Sequence, residues 1–473
     1  MNRIINFLNI KKYSSDKRKQ FIFNVFLGIV VLFFLTITKD TAIRQSFING
    51  WFDYYIMFRM DSETDTINVA HDIVFLDFDN KSFQTLNRAD MTPRDKVAAL
   101  LKMAYLGNAK VIVLDFDFSE PDYRPAQIFA NEEISLSGLD RDQILFETIQ
   151  QIKNDSSATT KILVPLVTYA DKTVKHNIFE SLIDSKTVFA VTPTLTTNQI
   201  GDNYTRFWLP YLEVKDNKTG DRDILWSIPL LTSVLYAGDF DELENLKTKI
   251  LTGNEDSFSV NINYKQKKEF TFYRETLKNG GLLRDTTALQ YNRIQYSLIP
   301  ADVLTQFPFG TVQPANIGHW RKGGLDNQRI DFSDKIVIIG RSDGDCADFY
   351  STPCGILPGL YIHGNAIFSI LGKTRPHLTP LYKHLLIELY LIVFVAYLFL
   401  GLSEFKATGI VCVLTVLCVI LSYVYFCYTN EFVYFVFAFT SEGMYNFANN
   451  IQRMLNDGLI TIELSFRRFR GRR

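Results

Sequence analysis

The sequence predicts an α/β protein in which a mostly parallel sheet, flanked by helices and extended by antiparallel strands, is joined to four transmembrane helices. Two observations predict this class, and a third bears on its partners. Apolar runs of bilayer length lie near both ends of the 473-residue chain. Between them, unbroken runs of Val, Ile and Leu alternate with helical patterns, as in parallel sheets. The charge is balanced, with 50 Lys and Arg against 51 Asp and Glu, so nucleic acid is not favoured as a partner.

The first apolar run lies at residues 21–38, after a basic segment at residues 1–20. The stretch from Phe21 to Ile37 carries no charged side chain, and its length is at the lower limit for a membrane-spanning helix. A cleaved signal peptide is the alternative interpretation. The run is long for such a peptide, and no small-x-small cleavage site follows it. The sequence therefore favours a retained transmembrane helix.

Three further apolar runs, at residues 383–402, 407–427 and 431–448, predict three more transmembrane helices. The connections between these runs are only a few residues long, so neighbouring helices are expected to run antiparallel and to pack together. The last predicted helix would place Glu442 near the middle of the bilayer, where a carboxylate is a candidate functional group. A short or tilted helix that brings Glu442 to the headgroups is the alternative.

Basic residues give the predicted orientation in the membrane. They lie before the first apolar run and again in the tail at residues 449–473, which ends in a run from Arg467 to Arg473. Lys and Arg near the ends of transmembrane helices favour the cytoplasmic side. With four spans, both termini are therefore expected in the cytoplasm, and residues 39–380 are expected outside it.

The predicted outer segment alternates between strands and helices. Strands are predicted at residues 73–79, 110–116, 161–168, 187–191 and 335–339. Helices are predicted at residues 92–105, 140–153, 228–236 and 360–371. The first helix should have Thr92 as its cap and Pro93 as its first residue. Strand–helix–strand units of this length imply right-handed crossovers and parallel strands. Added antiparallel strands are predicted at residues 258–262, 270–273 and 294–298.

Two cysteines, Cys346 and Cys354, lie in this outer segment. In an oxidising compartment they can form a disulfide. Two free thiols are the alternative, because many bacterial envelope proteins use few disulfides. A metal site is disfavoured, since two cysteines with no neighbouring His make a poor set of ligands.

Acidic residues follow three of the predicted strands directly. Because the carboxyl ends of parallel strands meet at one edge, where open α/β sheets bind ligands, these acids are the candidate ligand-binding or ion-binding residues. They could hold a divalent cation through oxygen ligands, or a cationic ligand. The alternative is that they cap helices and bind loop amides, so the sequence names no metal. The candidates are Asp77, Asp79, Asp115, Asp117, Glu120, Asp122, Asp343, Asp345 and Asp348.

Several motifs occur in a fixed order along the same segment. They are Asp77-Phe-Asp79-Asn-Lys-Ser82, Pro93-Arg94, Asp115-Phe-Asp-Phe118-Ser-Glu-Pro-Asp122, Pro300-Ala-Asp-Val-Leu304, Asp334-Lys-Ile-Val-Ile-Ile-Gly340 and Pro358-Gly-Leu-Tyr-Ile-His363-Gly-Asn-Ala366. In this order they resemble CHASE2 domains, which are extracytoplasmic sensor modules of bacterial receptors. The resemblance covers about residues 70–375, with a core at residues 72–371, and includes one span before the domain and three after it. It implies a multi-pass protein of the bacterial inner membrane with its large domain in the periplasm.

Members of this family commonly continue after the last span into a kinase, a cyclase or a cyclic-di-GMP enzyme. Here about 25 residues follow that span, too few for the core of a catalytic domain. The resemblance therefore implies a receptor-like protein in the lipid bilayer that acts through a separate membrane or cytoplasmic output or assembly protein. A scaffold subunit of an envelope complex is the alternative. Related receptors often form homodimers, although no dimer seam is evident in the sequence.

An enzyme is not expected. Asp115-Phe-Asp117 after an apolar strand is similar to the nucleophile strand of haloacid-dehalogenase-type phosphatases, but Phe118 and the Gly344-Asp345 pair fit that family poorly. The sequence contains no Gly-rich phosphate loop, no Gly-x-Ser-x-Gly elbow and no His-Glu-x-x-His motif. No catalytic residue and no cofactor is therefore predicted.

Overall fold

The computed structural model of the chain forms two compact units. The smaller comprises Met1–Trp51, Gly280–Thr287 and His377–Arg473, and the larger comprises Phe52–Asn279 and Ala288–Pro376. The residues that the structure describes are 14–37, 48–56, 71–85, 91–125, 140–195, 204–215, 220–253, 255, 257–264, 266–273, 292–296, 298, 317–319, 331–345, 348–372 and 377–434.

The strands of the larger unit form one main sheet and several hairpins. They are β1 (Ile73–Phe78), β2 (Val111–Leu114), β3 (Lys161–Pro165), β4 (Val188–Val191), β5 (Tyr211–Lys215), β6 (Arg222–Trp226), β7 (Ser257–Tyr264), β8 (Gln266–Tyr273), β9 (Ile317–His319), β10 (Ile336–Arg341), β11 (Phe349–Thr352) and β12 (Gly355–Pro358). The smaller unit adds β13 (His377–Leu378) and β14 (Glu431–Phe432).

Helices occur in both units. They are α1 (Ser15–Ile37), α2 (Asn80–Thr85), α3 (Arg94–Leu106), α4 (Arg141–Asn154), α5 (Ile228–Ala237), α6 (Phe240–Thr252), α7 (Gly359–Leu371), α8 (Leu381–Gly401) and α9 (Glu404–Thr429). The first, eighth and ninth belong to the smaller unit.

The main sheet has six parallel strands in the order β4-β3-β2-β10-β1-β9. Its central strands are apolar up to their carboxyl ends, as expected for strands that are covered on both faces. On one face, residues such as Phe75 pack against α5, α6 and α7. On the other, residues such as Leu76 pack against α3 and α4. The predicted parallel sheet flanked by helices is confirmed.

Local sequence signals explain most helix starts. Asp140 and Gln143 form a capping box at the start of α4, and Ser227 caps α5 with Pro229 in its first turn. The predicted start of α3 is wrong by one residue. Pro93 occupies the cap position without a side-chain hydrogen bond, and the helix begins at Arg94.

The predicted antiparallel additions are confirmed in part. β7 and β8 form an antiparallel hairpin at two of the predicted positions. The third prediction, a strand at residues 294–298, is wrong for the residues described there. Only Arg293 forms an isolated bridge, with Phe207. The segment instead lies along α7, and its main chain is held by side chains of that helix: Asn365 Oδ1 accepts from the Leu298 N–H over 2.7 Å.

The smaller unit contains the long apolar helices. Among the described residues, two helices are long and apolar enough to cross a membrane, Leu381–Gly401 and Phe405–Thr429, whereas the sequence predicts four. The first predicted span is indeed a helix, α1, and it packs along α8 where Gly28 approaches Ile392. Most of the fourth predicted span, including Glu442, lies outside the described residues.

Residues 431–432, where the fourth span is predicted to begin, form a strand instead. This strand, β14, pairs in parallel with β13, and the Thr379 hydroxyl donates to the Phe432 carbonyl over 3.0 Å. Glu431 is the centre of a polar cluster beside the pair. Its carboxylate accepts from Lys383 Nζ over 2.9 Å and from Tyr425 Oη over 2.8 Å. The strand pair therefore joins the start of α8 to the end of α9.

Candidate functional site

One row of residues crosses three central strands at their carboxyl ends. Asp77 on β1 is aligned with Gly340 on β10, and Asp115 follows Leu114, which is aligned with Ile339. The Asp115 N–H donates to the Ile339 carbonyl over 2.7 Å, which extends the ladder by one step. Because side chains alternate along strands, this row faces the same side as Phe75, the side covered by α7.

Gly340 opens the centre of this row. A Cβ at Gly340 would lie 2.7 Å from Leu360 Cδ1 of α7 and 3.3 Å from Asp115 Cβ. The missing side chain therefore lets the first turn of α7 approach the strand ends. The residues gathered here, called the carboxyl-edge cluster below, are Asp77, Asp115, Ser342, Asp348, Tyr361 and His363.

Asp77 is the most enclosed acid of the row, with 1 % of its surface exposed. Its Oδ2 accepts hydrogen bonds from Ser342 Oγ and, over 3.0 Å, from Tyr361 Oη. Burial raises the pKa of Asp77 to about 7, although these two hydrogen bonds act in the opposite direction. The carboxyl group therefore changes its charge close to neutral pH.

Asp115 lies beside two other titratable groups. His363 Nε2 of α7 is 3.8 Å from Asp115 Oδ1, and burial lowers the pKa of His363 to about 4, so the imidazole is neutral at neutral pH. Burial and the nearby Asp348 raise the pKa of Asp115 well above its usual range. Two acids and a histidine are thus brought together at the first turns of one helix.

Asp348 is held at the N-terminus of α7. The Gly359 N–H donates to the Asp348 carbonyl over 2.9 Å, and a Cβ at Gly359 would collide with the Asp348 carboxylate. Burial raises the pKa of Asp348, while hydrogen bonds from Tyr350 and Gly359 oppose that rise. Glycine at the first helical position therefore lets the carboxyl group lie against the helix end.

Three other predicted site residues form hydrogen bonds within the loops at this edge. Asp79 caps α2, because its Oδ1 accepts from the Ser82 N–H over 2.8 Å and from Ser82 Oγ over 2.7 Å. Asp343 is fully buried and accepts from Arg341 Nη2 over 3.0 Å. Asp345 is exposed, and its N–H donates to Asp343 Oδ1 over 3.1 Å.

The acids that follow Asp115 lie in a loop held by an arginine. Arg94 is 2 % exposed, and its Nη2 donates to the carbonyl oxygens of Asp117 and Glu120 over 3.2 and 2.9 Å. The side chains of both acids point to the surface. Arg94 also lies 4.6 Å above the ring of Phe118. Its role is to fix the path of the loop.

Asp122 is buried in an ion-pair network rather than in the carboxyl-edge cluster. Arg124 donates to its two oxygens over 2.5 and 2.8 Å, and Arg141 Nη1 is 3.7 Å away. Burial alone would raise the pKa of Asp122, but the two arginines outweigh burial and hold it below its usual value. This acid is therefore ionised and neutralised in place.

The predicted acids thus divide into separate local arrangements. In the ranges that the structure describes, no group of three or more His, Cys, Asp and Glu side chains is arranged to hold a metal ion. The divalent cation that the sequence leaves open therefore finds no ligand set among these residues. Binding of a different ligand by the cluster stays a prediction.

The predicted disulfide also stays a prediction, because Cys346 lies outside the described residues. Cys354, in the turn between β11 and β12, is 2 % exposed. Burial raises the pKa of its thiol to about 12, so the thiolate is disfavoured at neutral pH.

The comparison with known families supplies the identity. The CHASE2 domain matches residues 26–402, which is most of the chain. The chain belongs to the CHASE2 family. CHASE2 domains are extracytoplasmic sensory domains, so the resemblance predicted from the motifs is confirmed. The match begins within α1 and ends just after α8. No curated protein and no solved structure matches this CHASE2 protein significantly.

Sequence reasoning missed several polar residues of this CHASE2 protein. It predicts neither Ser342 nor Tyr361 as a partner of Asp77, although Ser342 directly follows β10 and Tyr361 lies in the last motif. It also does not single out Glu388 of α8. In the structure Glu388 is 1 % exposed, one helical turn from His384, with 4.0 Å between the two side chains. The spacing of four residues on α8 is the signal that could have revealed this pair.

Proposed function

We propose that this CHASE2 protein is a receptor of the bacterial inner membrane whose carboxyl-edge cluster receives an envelope signal and passes it to a separate partner protein. One observation carries the proposal. Asp77, Asp115, Asp348 and His363 are brought together, largely buried, at the first turns of α7. Buried ionisable groups are costly and concentrate at functional sites. The carboxyl edge is also where open α/β sheets bind ligands.

The helix that borders the cluster is tied to the rest of the larger unit by polar bonds. Asn365 exchanges two hydrogen bonds with the main chain of Leu298, over 2.7 and 2.9 Å. One turn later, Ser369 Oγ accepts from the Gln295 N–H over 2.6 Å. Movement of α7 would therefore move the segment at residues 292–298.

The same segment is bonded to the helical residues 52–56, which follow α1 in the chain. Arg293 forms a buried ion pair with Asp53, and Arg206 Nε lies 2.9 Å from the other oxygen of that carboxylate. Arg293 also stacks 4.5 Å above the ring of Phe52. These contacts form a continuous route from the cluster to the start of the larger unit, which is the route we propose for the signal.

The membrane topology is part of the proposal. Two apolar helices, α8 and α9, follow a domain whose family is extracytoplasmic, and basic residues precede the apolar part of α1. With α1, α8, α9 and the fourth span that the sequence predicts at residues 431–448, we place both termini in the cytoplasm and the domain in the periplasm. Alkaline phosphatase fused after Pro380 should be active, and the same enzyme fused after Ser403 should be inactive. The opposite pattern would overturn this orientation.

The sensor role is tested by co-purification. The full chain is crosslinked in cells, purified in detergent, and its partners are quantified by mass spectrometry for the wild type and for Asp77→Asn and His363→Gln. A sensor should bind an output protein in amounts that change in both variants. Asp117→Asn, which alters an exposed acid of the same edge, should resemble the wild type.

A scaffold predicts a different result from the same experiment. Its partners should be envelope proteins present in fixed proportion, and the cluster variants should not change their amounts. That outcome would replace the sensor proposal, since a side chain that receives a signal has to influence the output.

A further inference from the structure

The carboxylate of Asp77 uses its two oxygens unequally. Oδ2 accepts from Ser342 and Tyr361, whereas Oδ1 has no hydrogen-bond partner in the part of the chain that the structure describes. The residue is 1 % exposed, so bulk water does not supply the missing donor. An ionised carboxylate in this position keeps one buried oxygen without a donor, which is a costly state.

The space around Asp77 favours a very small ligand. Leu360 of α7 fills the position above Gly340, between Asp77 and Asp115. A metal ion would require several oxygen or nitrogen ligands, and the described side chains offer no such group. A proton requires only one acceptor atom and no cavity.

We propose that the ligand of the carboxyl-edge cluster is the proton and that it binds at Oδ1 of Asp77, an inference that rests on the proposed function. The proton comes from solvent and adds to the oxygen that lacks a donor, and no other bond forms or breaks. The uncharged acid no longer bears the cost of a buried charge, while Oδ2 still accepts from Ser342 and Tyr361.

The groups that face Asp77 fit this assignment. Asp79, which follows β1 and caps α2, and Asp343, in the loop after β10, raise the pKa of Asp77 electrostatically and so favour the protonated acid. The nearby cation, Arg341, is bonded to Asp343. Beyond Gly340 lie Asp115, Asp348 and the neutral His363. Burial, which is the largest cause, and the charges of Asp79 and Asp343 raise the pKa of Asp77 to about 7, against the hydrogen bonds from Ser342 and Tyr361.

Protonation of Asp77 would affect α7 through the hydrogen bond that Tyr361 donates. Hydrogen bonds to a charged acceptor are about twice as strong as those between neutral groups. Loss of the charge therefore weakens the bond from Tyr361, which is on the same helix as Asn365 and Ser369. An alkaline shift would strengthen this bond and hold the first turn of α7 against β1.

Infrared difference spectroscopy on the full chain in lipid nanodiscs tests the proposal, with spectra taken from about pH 5 to about pH 9. The C=O stretch of protonated carboxylic acids is measured. The wild type should lose one such band with a midpoint near neutral pH. Asp77→Asn should lack the titrating band, and Asp117→Asn should retain it. Ser342→Ala keeps the acid but removes one donor to Oδ2, so its midpoint should rise.

Two results would overturn the inference. One is that no carboxylic acid band titrates near neutral pH in the wild type. The other is that the titrating band persists in Asp77→Asn, which would assign the proton to Asp115 or Asp348. Because this measurement needs no partner, it is independent of the co-purification test. A titrating Asp77 with partner amounts that ignore the cluster variants would contradict the proposed function and leave proton binding intact.

Discussion

Tyr361 Oη donates a hydrogen bond to Asp77 Oδ2 over 3.0 Å, and this bond joins strand β1 to helix α7. The Tyr361 ring also packs 4.8 Å from the ring of Phe75, so the side chain is held by two contacts of different kinds. Removal of the hydroxyl abolishes the hydrogen bond and keeps the ring contact. Only the hydrogen bond depends on the charge of Asp77.

Tyr361→Phe should therefore raise the pKa of Asp77. A hydrogen bond to a charged group contributes about 1.5–3 kcal/mol, which corresponds to an increase of about one to two pH units. The infrared titration measures this shift. Tyr350→Phe is the matched control, because Tyr350 bonds to Asp348 instead and should leave the midpoint of Asp77 unchanged. An unchanged midpoint in Tyr361→Phe would show that the bond does not stabilise the ionised acid.

The raised pKa of Asp77 also predicts a dependence of stability on pH. In the folded chain Asp77 keeps its proton up to about pH 7, whereas its ordinary value is 3.8. The folded state therefore binds more protons between these values, so the contribution of Asp77 is complete below the ordinary value and is lost as pH rises through the folded value. The full difference is about 4 kcal/mol at 1.36 kcal/mol per pKa unit, a figure good to the order of magnitude.

Asp77→Asn removes this titration. Its apparent melting temperature in detergent should match that of the wild type below about pH 3.8 and should exceed it by a growing margin as the pH rises to about 8. The difference between the two curves isolates Asp77, because His363, Asp115 and Asp348 are present in both proteins. Parallel curves would contradict a raised pKa for this acid.

The sequence predicts the sheet and its edge because the central strands are short, apolar and buried on both faces. Asp77 and Asp115 could be placed at that edge because they follow such strands directly. Their different environments could not be predicted. The partners of Asp77 are Ser342 and Tyr361, which are more than 260 residues away in the chain and reach it only after β10 has inserted between β1 and β2.

The environments of the acids that lie outside the cluster could not be predicted either. Asp122 carries no local signal that distinguishes it from Asp115, and its burial with Arg124 and Arg141 depends on the start of α4. The strand predicted at residues 294–298 failed for a related reason. Its alternating pattern reflects packing and bonding to α7, where Asn365 takes the place of a neighbouring strand.

The buried ion triad of Asp53, Arg206 and Arg293 should contribute strongly to stability. Asp53 is 8 % exposed and binds both guanidinium groups, and burial lowers the pKa of Arg293 while Asp53 opposes that change. Asp53→Asn would leave two buried cations without this carboxylate, at a cost of about 3–5 kcal/mol. Thermal unfolding of the full chain in detergent measures this loss.

Asp345→Asn is the control for this variant, since Asp345 is exposed and a change there should alter stability by about 0.5 kcal/mol or less. Equal melting temperatures for the two variants would show that the triad contributes little. They would also remove the ion pair from the route proposed between α7 and residues 52–56.

An added methyl group would meet opposite surroundings at two helical glycines, Gly359 and Gly409. At Gly359 it would collide with the carboxylate of Asp348, while at Gly409 of α9 it would meet no described atom within 4 Å apart from its chain neighbours and the backbone of its own helix. Gly359→Ala should therefore displace Asp348 from the first turn of α7 and lower the free energy of unfolding by about 1–3 kcal/mol. Gly409→Ala should be neutral or stabilising, since Ala is a better helix former by about 1 kcal/mol.

Melting temperatures of the two alanine variants test this contrast, and the infrared titration tests its consequence. Displacement of Asp348 should remove its electrostatic effect on Asp115, while the titrating band of Asp77 should persist, because Asp348 is not among the causes of the raised pKa of Asp77. A Gly359→Ala protein as stable as Gly409→Ala would mean that the carboxylate of Asp348 can move without cost. The glycine at the start of α7 would then be unnecessary for the geometry of the carboxyl-edge cluster.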